Sequence, residues 1–186
     1  NLQKPTDLLI DFRATAKAVT PAVVHIKSTV SGSPQAQRQN VPPLFREFLD
    51  PGGSYGEPQP RMGSGSGVII SEDGYILTNN HVVDEATELE IVLYDNRSFK
   101  GKVIGTDPST DLALVKIDQD NLPTVPFGDA EALSIGEWVL AVGNPFNLSS
   151  TVTAGIVSAK GRSINILGGG SNIESFIQTD AAVNPG

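Results

Sequence analysis

Two residues in this chain of 186 have the types and settings for proton-transfer chemistry. They are His81, in Thr78-Asn79-Asn80-His81-Val82-Val83, and Asp111, in Asp107-Pro108-Ser109-Thr110-Asp111-Leu112-Ala113-Leu114-Val115. An imidazole with an unperturbed pKa of about 6.5 takes a proton from a hydroxyl and returns it to a leaving group near neutral pH. A buried carboxylate beside it holds the ring in the productive tautomer and stabilises the imidazolium. Backbone N–H groups must then meet an oxyanion, which favours glycine near the nucleophile. Gly186, at the tip of a turn after Asp180-Ala181-Ala182-Val183-Asn184-Pro185, is suited to that role. Taken singly, a histidine after a strand is more often structural or exposed, and Asp111 serves equally as a cap or turn residue. The other histidine, His25, lies between Val24 and Ile26 in a plain strand pattern and reads as structural.

The elements that must position these residues are mostly short strands. Residues 6–19 predict the one long helix, capped by Thr6 or Asp7, with Leu8, Leu9, Phe12, Ala16 and Val19 near helical spacing on one face. Pro21 breaks that pattern, and Ala22 to Ser28 reads as a strand. From Ser31 to Ser66 the composition shifts to Gly, Pro, Ser and Gln, predicting a long loop. Within it, Pro42 to Leu49 carries Phe45 and Phe48, as a docking element or a plain surface loop. After Gly67, hairpin signals surround Glu72-Asp73-Gly74 and Asp95-Asn96-Arg97, and Leu112 to Ile117 alternates cleanly. A second group of strands runs from Glu137 to Val142, Val152 to Ser158 and Phe176 to Thr179, with His81 at the end of one first-group strand and Asp111 opening another. Many short strands without intervening helices argue an all-β sandwich or barrel. The division expected is a helical segment over 1–20, a first β unit over 21–120 and a second over 121–186, the turn-rich stretch 118–128 marking the boundary.

Composition narrows the chemistry. A net charge of −8 with no basic stripe would repel a phosphate backbone, so nucleic acid is not the expected partner. With no cysteine, thiolate catalysis and cysteine-ligated metals are excluded. Two histidines in separate strands give no metal-ligand spacing, and no metal is expected. No apolar run approaches the roughly 18 residues of a membrane-spanning helix, and Asn1-Leu2-Gln3-Lys4-Pro5 reads as a mature or engineered start.

Several motifs strongly resemble the HtrA/DegP family of serine proteases: Gly65-Ser66-Gly67-Val68-Ile69-Ile70, the His81 run and Asp111 to Lys116. Gly143-Asn144-Pro145-Phe146, Thr153 to Ser158 and Gln178 to Gly186 follow in the family's order. The resemblance implies a chymotrypsin/trypsin-like double β-barrel with the second barrel incomplete in this chain. It implies His81 as general base, Asp111 as its orienting carboxylate, and Gly186 as an oxyanion-hole glycine. In the family Asn-Pro-Gly is followed by Asn-Ser-Gly-Gly, which puts the nucleophilic serine two residues beyond Gly186. A chain ending at Gly186 is therefore expected to be an inert piece of a longer enzyme, with the PDZ domains the family usually appends lying elsewhere. The segment from Gly161 to Glu174 matches a regulatory loop, with Arg162 as its relay; a flexible exposed arginine is the competing reading. Further implications are unfolded or misfolded polypeptides as substrates, ATP-independent quality control in the periplasm or an equivalent cell-envelope space, no cofactor, and a homotrimer assembled through Phe12, Phe45 and Phe48. A non-catalytic chaperone or polypeptide-binding scaffold on the same fold is the alternative.

Overall fold

The structure, a computed structural model, describes residues 11–31, 61–144, 150–162 and 176–183. Six strands close into a barrel: β1 (Val23–Val30), β2 (Arg61–Ile69), β3 (Tyr75–Asn79), β4 (Glu88–Val92), β5 (Ser98–Asp107) and β6 (Leu112–Lys116). Their order around the barrel is β1-β2-β3-β6-β5-β4, and every neighbouring pair is antiparallel. Closure leaves no unpaired edge, and the inward positions carry the β-branched residues that suit a pleated surface. Val24, Ile26, Ile69, Ile76, Ile91 and Val115 are completely buried and form the centre of this core.

Composition predicted a loop running through Ser66, but β2 already starts at Arg61. The reason is steric. Gly63, Gly65 and Gly67 alternate along the strand and so share one face. A Cβ on Gly65 would lie 2.6 Å from Val82 Cγ2, and one on Gly67 would lie 2.7 Å from Ile76 Cγ2. Glycines that read as loop composition are here the strand positions on which the barrel closes most tightly.

The helix is also shorter than the sequence suggests. Helix α1 spans Arg13–Val19, with Asp11 and Phe12 outside it. Asp11 Oδ1 accepts the Arg13 N–H at 3.0 Å, and the two side chains pair at 2.7 Å. That local bonding competes with helix propagation and stops it there. The Thr6 or Asp7 cap, Leu8 and Leu9 lie outside the described residues. Pro21 sits in a 3-10 turn, Thr20–Ala22, that leads directly into β1.

The second unit is a sheet of β7 (Trp138–Gly143), β8 (Thr151–Arg162) and β9 (Phe176–Thr179), in the order β7-β8-β9. The fold is thus all-β with an N-terminal helix, one barrel complete and the second represented by three strands among the described residues. Phe12 packs on Trp138 at the start of β7, with ring centroids 5.5 Å apart and planes tilted by 58°.

Candidate active site

The β3–β6 ladder brings His81 and Asp111 together. Asn79, the last residue of β3, pairs with Leu112, the first of β6, so the residues just past this rung are neighbours. The Asn80 N–H donates to the Asp111 carbonyl at 3.0 Å. Antiparallel register thus removes the sequence separation of the two residues.

His81 was expected at a strand end. It lies instead in a single helical turn, α2 (Asn80–Val83). Val82 and Val83 are both buried, and an extended strand would point one of them outward. One helical turn buries both valines and leaves the His81 side chain 72% exposed at the surface of the barrel.

Asp111 takes the left-handed backbone conformation, φ 55°, immediately before β6. Aspartate tolerates that region better than most residues. The preceding turn is folded on Asp107. Its Oδ1 accepts the Ser109 N–H at 2.9 Å and hydroxyl at 2.6 Å, and its Oδ2 accepts the Thr110 hydroxyl at 2.9 Å. The Ser109 and Thr110 donors hold the Asp107 carboxyl below its ordinary range.

The Asp111 carboxylate grips His81 at two points. Oδ1 accepts the His81 backbone N–H at 2.9 Å, and Oδ2 contacts the ring Nδ1 at 2.7 Å. The Asn79 amide donates to the same Oδ2 at 3.2 Å and to the Asp111 carbonyl at 3.1 Å. Burial pushes the Asp111 carboxyl up, but the His81 N–H, the His81 ring and the Asn79 amide outweigh it and leave the group below its usual range. An ionised carboxylate only accepts hydrogen bonds. Nδ1 therefore carries the proton, and in the neutral ring the lone pair is on Nε2, free to take a proton from a hydroxyl.

A hydrogen-bonded imidazole and carboxylate in this arrangement can serve as a base and its orienting group. Residues 65–186 match the trypsin-like peptidase domain. Over 197 residues the chain is 46% identical to a "Probable periplasmic serine endoprotease DegP-like" of Pseudomonas fulva (strain 12-X), covering 96% of this chain and 40% of that protein. A protein of the same description from Hahella chejuensis (strain KCTC 2396) is 47% identical over 188 residues, covering 96% of this chain and 39% of the relative. Among solved structures, "HtrA-type protease AlgW with decapeptide" aligns with a TM-score of 0.73 at 39% identity, over 95% of this chain and 53% of that one. This chain belongs to the trypsin-like peptidases, in the HtrA/DegP family.

This HtrA/DegP chain spans about two-fifths of the length of the curated relatives it matches. Of the other residues singled out in the sequence, Arg162 ends β8 and pairs with Phe176, beside Gly161 at φ 65° and a shift in strand register. Phe12 contacts Trp138 within the chain. Gly186, Phe45 and Phe48 lie outside the described residues. Sequence reasoning overlooked Asn79, whose amide stands in the same run as His81, and the carboxylate of Asp107, which shapes the turn into Asp111. Nothing in a single sequence distinguishes such supporting groups from ordinary turn residues.

Proposed function

We propose that the protein carrying this chain is an ATP-independent serine endopeptidase of protein quality control, cleaving unfolded or misfolded polypeptides in the periplasm. The single observation that carries this reading is the grip of Asp111 on His81, 2.7 Å at the ring and 2.9 Å at the backbone. The relatives' printed names support the compartment and the serine chemistry.

In this reading a serine two residues beyond Gly186 attacks the scissile carbonyl. Its Oγ–C bond forms as Nε2 of His81 takes the hydroxyl proton, and Asp111 stabilises the imidazolium. The Gly186 N–H helps receive the oxyanion, the C–N bond breaks, and His81 returns its proton to the departing amine. Water, deprotonated by His81, then attacks the acyl carbon, the Oγ–C bond breaks, and His81 returns the proton to the serine Oγ. Arg162 would relay activation to the oxyanion region, and Phe12, Phe45 and Phe48 would join three copies. The half-exposed Trp138 beside Phe12 supports an aromatic contact on that face.

The test is labelling of the full-length protein with a fluorophosphonate and hydrolysis of unfolded casein without ATP. Both are expected in the wild type, and both are expected to disappear in His81→Ala. Casein binding with neither labelling nor cleavage would sink the reading and leave a binding scaffold.

A further inference from the structure

Among the described residues, the only hydrogen bonds between the barrel and the β7–β9 sheet meet on one residue, Asn144, directly after β7. Its N–H donates to Ser66 Oγ at 2.8 Å, and its carbonyl accepts from His25 Nδ1 at 2.7 Å. His25 and Ser66 are direct cross-strand partners on β1 and β2, so their side chains stand side by side on one face. Both His25 and Asn144 are buried, where an unmade backbone bond is costly.

The connections extend in both directions. The Ser66 carbonyl accepts from the Thr78 hydroxyl at 2.8 Å, and Thr78 lies on β3, the strand that delivers His81. On the other side, β7 pairs with β8 along six residues, from Trp138↔Ile156 to Gly143↔Thr151. Strand β8 then fastens the segment after β9. The Thr153 hydroxyl donates to the Ala182 carbonyl at 2.6 Å, and the Ile156 N–H donates to Asp180 Oδ1 at 2.7 Å. Gly155 leaves no room beneath that segment, since a Cβ there would lie 2.2 Å from the Ala181 nitrogen.

We propose that His25 and Ser66 are positioning residues, a two-point clamp on Asn144 that sets the place of the β7–β9 sheet relative to His81 and Asp111. The inference deepens the protease reading and rests on it, because the Asp180–Val183 segment leads toward the residues where that reading places the oxyanion hole and nucleophile. The clamp requires a hydrogen on Nδ1 of His25, which neutral and charged imidazole can both supply. Asparagine places its amide nitrogen as many bonds from Cα as that Nδ1, so it can replace the donor; leucine cannot.

The experiment compares His25→Leu, His25→Asn and Ser66→Ala with wild type in the full-length protein. Casein hydrolysis is resolved into kcat and KM, and circular dichroism verifies the fold. A displacement of about 1 Å at a catalytic constellation costs about a hundredfold in rate. His25→Leu and Ser66→Ala are therefore expected to lose about tenfold to a hundredfold in kcat with KM within about twofold, and His25→Asn to recover most of it. Full activity in His25→Leu, or an equal loss in His25→Asn, overturns the clamp. If the wild type does not cleave casein, the protease reading fails, and deuterium exchange at the Asn144 amide decides the clamp. Faster exchange in His25→Leu and Ser66→Ala but not in His25→Asn then supports it, and unchanged exchange overturns it.

Discussion

The barrel and the three-stranded sheet solve the same packing problem to different degrees. In the barrel, β1 buries five of its eight positions and the central isoleucines are wholly inaccessible. In the sheet, β7 has no fully buried residue, and Trp138, Val152, Phe176 and Ile177 remain substantially exposed. His81 and Asp111, the proposed base and orienting carboxylate, both belong to the barrel, on a ladder whose register is fixed by the core beneath it. The difference teaches where rigidity lies. The His81–Asp111 geometry depends on one closed unit, whereas among the described residues the hydrogen bonds that relate that pair to the second sheet meet on Asn144.

Variants that strike only the barrel's chemistry should have the largest effects. His81→Ala is expected to lower turnover of the full-length protein by about a million-fold, and Asp111→Asn by about ten-thousandfold, with casein hydrolysis as the measurement. Asparagine tolerates the left-handed backbone at this position, so the second variant tests the proton and ring geometry more than the fold.

Core truncation sharpens the contrast between the two regions. Ile91→Ala in the barrel should cost about 2–5 kcal/mol in urea unfolding. The half-buried Val142→Ala in β7 should cost about 1 kcal/mol. Equal losses would break the comparison. Gly67→Ala should destabilise by about 1–3 kcal/mol, because its methyl group meets Ile76 and Ile26, and the midpoint of the same transition reads it.

The stabilisation of ionised Asp111 has a definite sign. Its folded value is depressed, so its contribution is present in full above the ordinary carboxylate pKa, near pH 4, and fades as pH falls through the lower folded value. The unfolding free energy of wild type minus that of Asp111→Asn should therefore shrink as pH falls from about 5 to 3. A constant difference would show that the carboxylate titrates alike in both states. An effect as small as that of Val142→Ala is expected at the Phe12–Trp138 contact, where Trp138→Ala should remove about 1 kcal/mol of unfolding free energy.

Much of the fold was legible because alternation and turn chemistry act locally. The strands around Ile76, Ile91 and Leu114, and the turn at Asp95-Asn96-Arg97, stand where the pattern places them. Two of the three misreadings came from long-range contacts. The glycines of β2 look like a loop until Val82 and Ile76 are seen pressing on them, and the helical turn at His81 exists because two consecutive valines face one core. Helix α1 starts late because Asp11 bonds Arg13, a local choice that periodicity alone does not register.

By itself, the sequence determined which residues could act as base and orienting acid, the all-β character and, through its ordered motifs, the family. Residue type and short-range pattern carry that information directly. Only the tertiary structure decided that the Asp111 carboxylate reaches both the ring and the backbone of His81, that Asn79 completes its hydrogen bonding, and that buried His25 joins Ser66 in holding Asn144. Those facts depend on strand register and barrel closure, which pair residues far apart in the chain through contacts that no local pattern encodes.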